Sequence, residues 1–414
     1  MPAQQIVVLG GGFAGLWSAV GAARKLDALQ IGPDAVQVTL VNRDAFHSIR
    51  VRNYEADLSS VRVPLDDVLE PIGVRRIEAE VQGIDLRNRS VSLASSSGPQ
   101  QLAYDRLIFA LGSELARPAV PGLIEYAFDV DTYAAAARLN AHLASLPTLP
   151  EVAGRATVVV VGAGLTGIEV AGEMPGKLQA AFRQHQLSTS SGANGPRVIL
   201  IDHNRHVGSD MGDSARPVIE AALSDLEIET RLGQRVASID SSGVTLSSGE
   251  RIPAATVVWC AGLRANPLTA LLSEERDRWG RIAVDKYLRA EGVPRVFAAG
   301  DVAVGMMDDE HLSVMSCQHS RPMGRFAGHN AVCDLLKLPM LPLKIDWYVT
   351  VLDLGPGGAV YTTGWNRQVV SKGKAAKTTK QTINCQRIYP PRSRNRAEIL
   401  AAAAPVIQRP PRTE

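Results

Sequence analysis

At 414 residues the chain is too long for one ordinary hydrophobic core and predicts two or three domains. Its composition, 45% apolar and 21% charged, is that of a globular protein. A net charge of +2 excludes global steering toward nucleic acid or membrane.

The charge is uneven. Trp365 to Glu414 holds eleven Lys or Arg against Glu398 and Glu414, a net of +9 against an overall +2, so the remainder carries −7. A basic tail on an acidic body would be solvated, meet another subunit, or rest peripherally on the anionic inner face of the cell membrane. No apolar run reaches the roughly 18 residues of a membrane span. MPAQQIVVLG enters a strand at once, which predicts a cytoplasmic chain without a signal peptide. Cys260, Cys317, Cys333 and Cys385 form no CxxC pair, so neither a metal site nor a local redox disulfide is expected.

In chain order, Ile6–Leu9 is an apolar run closing in glycines, Phe13–Leu26 is rich in Ala and Leu, and Val36–Val41 is apolar again. Strand, glycine turn, helix, strand is one βαβ unit. AEVQGIDLRNRSVSLA and YDRLIFALG, within 79–110, predict an antiparallel meander returning to the sheet. TYAAAARLNAHLASL (132–146) predicts a helix and PTLPEVAGR a linker. A second unit follows: strand 156–161, turn, helix 165–184, strand 197–201, with the polar loop STSSGANGP (188–196) before its last strand. A second meander spans 234–260. RVFAAGD (295–301) is a strand into a glycine turn, and SRPMGRFAGHNAVCDLL is a helix. KIDWYVTVLDLG, GAVYTTGW and TTKQTINCQRIY, within 345–390, read as β. One α/β module is thus inserted in another: 1–120 and 266–340 form the first, 121–265 the second, and 341–414 a small β-rich C-terminal segment that offers a homodimer contact.

Gly10, Gly12 and Gly15 fit GxGxxG between strand and helix, and Gly162, Gly164 and Gly167 repeat it. The first glycine permits the tight turn, the second lets the backbone approach a pyrophosphate, and the third lets helix and strand pack closely. The phosphates then lie on N–H groups at the helix starts, Phe13–Ala14 and Leu165–Thr166. Both modules are therefore Rossmann-like, of three-layer ββα build. The residue closing the second strand should hold the adenosine ribose. Asp202 of VILID accepts from both ribose hydroxyls and repels a 2′-phosphate, which favours NADH over NADPH, although His203 and Arg205 lie close by. The first-module equivalents are Asn42, a neutral and weaker partner, and the adjacent Arg43.

The two modules, Ala110–Gly112 and Phe297–Asp301 together resemble the two-dinucleotide flavoproteins. The closest resemblance is to type II NADH dehydrogenases, the single-subunit NADH:quinone oxidoreductases, over about residues 5–340. VTLVNRDAFH, YDRLIFALGS, VVVVGAGLTGIEVAGEM, TVVWCAGLRANPL and VFAAGDVA carry it. The resemblance implies FAD on the first module, near His47, Ala110, Gly112, Gly300, Asp301 and Gln318. It implies NADH on the second, near Gly262, with Glu169 beside the nicotinamide. The family's quinone motif, roughly AQxAxQ, is matched by CQHSRPM: Gln318 fits the first glutamine, Cys317 and Ser320 replace alanines, and Pro322 replaces the second glutamine.

Hydride would pass from NADH to FAD, and two electrons then to a quinone or quinone-like small molecule. Glu169, Gln318 and His319 are the catalytic candidates, with His319 titrating near pH 6.5 to deliver protons. A disulfide or sulfide reductase needs a cysteine well before Cys260, and there is none. The alternative is a ferredoxin-reductase-like enzyme whose basic tail docks an electron-carrier protein. Nucleic-acid binding is not expected, because the tail lacks interleaved aromatics.

Overall fold

The computed structural model describes residues 2–185 and 196–411, so the expected loop 188–196 falls, apart from Pro196, outside the described residues. Five parallel strands form the first sheet, in the order Val296–Ala298, Arg106–Phe109, Gln4–Leu9, Val36–Asn42, Arg75–Glu78. The second sheet repeats the pattern with Ala127–Phe128, Thr256–Trp259, Thr157–Val161, Arg197–Asp202 and Glu229–Leu232.

Both faces of these sheets are covered, which is why their central strands are unbroken apolar runs. The strand period of two divides the second module's core cleanly. Val158, Val160 and Leu200 join the cluster under helix Leu165–Gln184, with Ile168 and Met174. Val159, Val161, Ile199 and Ile201 join Val236, Val244 and Ile252 of the meander Val236–Asp240, Gly243–Leu246, Arg251–Pro253. The first module has the matching meander, Glu80–Asp85, Ser90–Ser95, Gly98–Ala103. Both linkers that cross between the modules pass through a short antiparallel pair, Ser113–Leu115 with Leu263–Ala265.

Helix Cys317–Leu335 lies directly on helix Phe13–Ala28. A Cβ on Gly324 would overlap the Ala14 carbonyl, and one on Gly328 the Ser18 carbonyl. This backbone-to-backbone contact fixes where the first turn of Cys317–Leu335, carrying Gln318 and His319, sits.

The C-terminal segment is an antiparallel sheet of Val349–Asp353, Ala359–Thr363 and Gln368–Lys372, with Val349–Asp353 at one edge. One expectation fails here. TTKQTINCQRIY is not a strand: helix Gly373–Thr382 runs into a π-helical turn, Ile383–Arg387. Its Thr and Ile residues suggest β structure. However, the buried positions, Ala376 and Lys380, are four apart, and packing on the sheet decides the conformation.

The basic tail is not a free cationic arm either. Lys377 pairs with Asp353, Lys380 with Glu169, Arg394 with Asp67 and Glu70, Arg396 with Asp27, and Arg409 with Asp346. Much of its charge is neutralised on the acidic body, leaving less for a membrane or a partner. Among the described residues no helix is long and apolar enough to cross a membrane.

Candidate functional site

The two glycine turns are near copies. Gly10 and Gly162 have φ of +100° and +105°, a region that disfavours any side chain. A Cβ on Gly15 would overlap the Gly10 carbonyl, and one on Gly167 the Gly162 carbonyl. By contrast, a Cβ on Gly12 would meet no atom within 4 Å. The backbone there is open to a ligand, at the start of a helix with no side-chain cap and no acidic residue in its first turn. These features fit a bound pyrophosphate. Phe13 and Leu165 begin the two helices; Ala14 is buried beneath Gly300, while Thr166 and Arg43 are exposed.

The strand-end residues brace their turns in the same way. Gly11 N donates to Asn42 Oδ1 (2.8 Å), and Ala163 N donates to Asp202 Oδ2 (2.5 Å). The Asn42 amide is further spent on Asp44 and the Phe46 carbonyl, so its main task is to hold the turn rather than a ribose. Asp202 also accepts from Asn204 N (2.7 Å) and keeps carboxylate lone pairs for a ligand.

His47 is fully buried, with Nδ1 2.8 Å from the Gly11 carbonyl and its ring edge-on to Phe13. Burial pushes its pKa down to about 4. The imidazole is therefore neutral, Nδ1 carries the proton, and Nε2 is an acceptor with no partner among the described residues. Asp301 accepts from Ser113 Oγ (2.7 Å) and Ser320 Oγ (3.3 Å). Arg50 holds Ser113 in turn and pairs with Asp131. Ala110 N donates to the Leu9 carbonyl, placing Ala110 and the left-handed Gly112 beside the first turn; Gly262 lies by Ala116 at the other crossover.

Edge strand Val349–Asp353 gathers the catalytic candidates. Its even-numbered residues face the neighbouring strand, as the flanking bonds Gly364 N to Tyr348 O and Leu354 N to Gly358 O show. Its odd-numbered residues face outward. Val349 N donates to Gln318 Oε1 (3.3 Å), Lys380 Nζ donates to the Val351 carbonyl (3.1 Å), and Asp353 N donates to Glu169 Oε1 (3.2 Å). One strand edge thus joins the first module's Gln318 to the second module's Glu169. Lys380 caps Glu169 in a buried ion pair. Burial raises the Glu169 pKa, and Lys380 opposes that shift.

His319 corrects the sequence reading. It is fully buried, beside Tyr348 and Trp365, and burial lowers its pKa to about 4 rather than leaving it near 6.5. Its Nδ1 accepts from Val314 N (2.9 Å), so it is a neutral Nε2–H donor, not an imidazolium, at neutral pH. Cys260 and Cys317 are free, with burial raising both thiols, which removes thiolate chemistry from the site. No metal-binding cluster exists among the described residues.

Lys380, Asp353 and Tyr54 were not legible as site residues. They line a cavity of about 330 Å³ together with Glu173 and Asn384.

Residues 4–324 match the pyridine nucleotide-disulphide oxidoreductase family. NADH dehydrogenase-like protein Rv1812c of Mycobacterium tuberculosis is 59% identical over 404 residues, covering 98% of this chain and 99% of that protein. Demethylphylloquinone reductase NdbB of Synechocystis is 27% identical, covering 86% of each chain. The solved structure of NDH2 from Plasmodium falciparum in complex with NADH superposes with a TM-score of 0.76 at 13% identity, over 97% of this chain and 99% of that one. The chain belongs to the pyridine nucleotide-disulphide oxidoreductase family, alongside NADH dehydrogenase-like proteins.

Proposed function

We propose that this protein passes two electrons from NADH, through FAD, to a quinone or quinone-like small molecule. It is an NADH-dependent flavoprotein oxidoreductase. The observation that carries the proposed acceptor step is the strand edge on which Gln318, Lys380 and Glu169 meet. Relatives named type II NADH:quinone oxidoreductase support the same reading.

FAD supplies hydride acceptance and the return of two electrons when bound. The turn Gly10–Gly15 and Asp301 would hold it, and the turn Gly162–Gly167 with Asp202 would hold NADH. Glu169 orients the nicotinamide end, fixed there by Lys380 and the Asp353 N–H. Gln318 Nε2, without a partner among the described residues, and His319 Nε2–H are the donors that would position the acceptor's oxygen. Lys380 Nζ holds a proton close to the same edge. A quinone dissolved in a bilayer would be met peripherally.

Anaerobic stopped-flow at 450 nm tests this reading. NADH should bleach the protein quickly, and a soluble naphthoquinone or ubiquinone analogue should restore the colour quickly. Bleaching without quinone recovery would remove the acceptor from the proposal.

A further inference from the structure

Trp17, Arg321 and Arg325 form a buried cluster that the steps above do not use. Trp17 and Arg325 are 1% and 2% exposed, and Arg321 is partly buried. The Arg325 guanidinium lies 4.5 Å from the Trp17 ring centroid and that of Arg321 5.3 Å. Neither arginine forms an ion pair or hydrogen bond with any described residue. Trp17 Nε1, Arg321 Nε and Arg325 Nε are all buried donors without partners among the described residues. Apart from the Cys317 thiol beside Arg321, the groups acting on these arginines are further cations, Arg387 on Arg321 and Arg321 on Arg325, with no carboxylate among them.

Guanidinium and indole N–H groups only donate. A ring face satisfies the charge of a guanidinium but not its N–H groups. Buried cations are kept in proteins when an anion or acceptor meets them. The donor set here is chemically specific: it asks for an oxyanion.

Position says which molecule carries that oxyanion. Arg321 stands one helical turn beyond Cys317 and Gln318, and Arg325 one turn further, so the cluster begins roughly 5 Å along the axis from the acceptor-facing residues. Helix Arg396–Ala402 packs on Phe13–Ala28, with Arg396 paired to Asp27 at its far end. The pyrophosphate of FAD already has the open backbone at Gly12.

We propose that Trp17, Arg321 and Arg325 bind an anionic substituent of the electron acceptor, so that the acceptor is a quinone-like ring bearing a carboxylate, sulfonate or ionised hydroxyl. This rests on the proposed function. The test uses the holoenzyme with NADH and two acceptors, neutral menadione and anionic 1,4-naphthoquinone-2-sulfonate. Arg321→Met and Arg325→Met should each raise KM for the sulfonate about tenfold and leave KM for menadione within about twofold. Arg325→Lys should recover part of the loss. Equal effects on both acceptors, or none, would overturn the assignment. So would loss of flavin absorbance from the Met variants with unchanged KM in the remaining holoenzyme, which would give the guanidiniums to the cofactor. Calorimetry with redox-inert naphthalene-2-sulfonate and neutral 2-naphthalenemethanol separates the two readings. Arginine-dependent binding of the sulfonate alone, without turnover of either quinone, would sink the quinone acceptor and keep the anion site. Equal binding of both compounds would sink the site.

Discussion

Glu169 of the second module and Lys380 of the C-terminal helix form an ion pair buried between the second module's helix and the C-terminal sheet. Removing one partner of such a pair leaves an uncompensated buried charge, a loss of about 3–5 kcal/mol. Lys380→Met should therefore lower stability by about 3 kcal/mol in urea denaturation, and Glu169→Gln/Lys380→Met should restore most of it. A double variant no more stable than Lys380→Met would mean that the pair is not the source of the loss.

Glu169→Gln alone keeps the hydrogen bond from Asp353 N but removes the charge opposite Lys380. Flavin bleaching by NADH should slow by at least tenfold, about 1.4 kcal/mol of barrier. If only reoxidation changes, Glu169 does not stand beside the nicotinamide.

Asn42 and Asp202 brace equivalent turns with an amide and a carboxylate. The first turn thus foreshadows a substitution in the second. Asp202→Asn should keep the brace from Ala163 N, keep the fold, and lose the repulsion of a 2′-phosphate. The preference for NADH over NADPH should shrink by about tenfold, the scale of one charge-assisted bond. An unchanged ratio of kcat/KM for the two nucleotides would remove Asp202 from its assigned role.

Gly12 and Gly15 lie three residues apart and should behave oppositely. A methyl at Gly15 collides with the Gly10 carbonyl, whereas one at Gly12 meets no protein atom. Gly12→Ala should melt close to wild type but bind FAD weakly, and Gly15→Ala should fail to fold. Full flavin content in Gly12→Ala would show that the cofactor does not approach that backbone.

The buried histidines make stability depend on pH. His47 and His319 have folded-state pKa values near 4, below the ordinary 6.5. Their neutral burial contributes fully above pH 6.5 and is lost as pH falls toward 4. Between pH 7.5 and 5.5 each should cost about 1 kcal/mol. Urea denaturation at both pH values should show the drop, and His47→Gln should flatten it; equal slopes in both proteins would contradict the burial of a neutral imidazole.

The central strands of both sheets and both glycine turns were legible because strand period, apolar runs and glycine spacing are local signals, whereas the short edge strands Arg75–Glu78, Ala127–Phe128 and Glu229–Leu232 were not. Helix Leu165–Gln184 follows its expected limits for the same reason. Gly373–Thr382 was not legible: its Thr-rich sequence favours β structure locally, and the burial of Ala376 and Lys380 against a distant sheet overrides it. Charge counting showed a basic tail but not the destination of Lys380, which depends on a contact 211 residues away. Likewise, the burial that silences His319 comes from Tyr348 and Trp365, whose approach no spacing rule encodes.

The outward edge of Val349–Asp353 carries a second consequence. A strand edge with free N–H and C=O groups is a template on which other chains pair and aggregate. Here Gln318 and Glu169 occupy the Val349 and Asp353 N–H groups, and Lys380 the Val351 carbonyl. The residues proposed to serve electron transfer also shield part of this edge from pairing. On the proposed function, colloidal solubility and turnover are coupled, and substitutions that strip the edge should bring self-association along with lost activity.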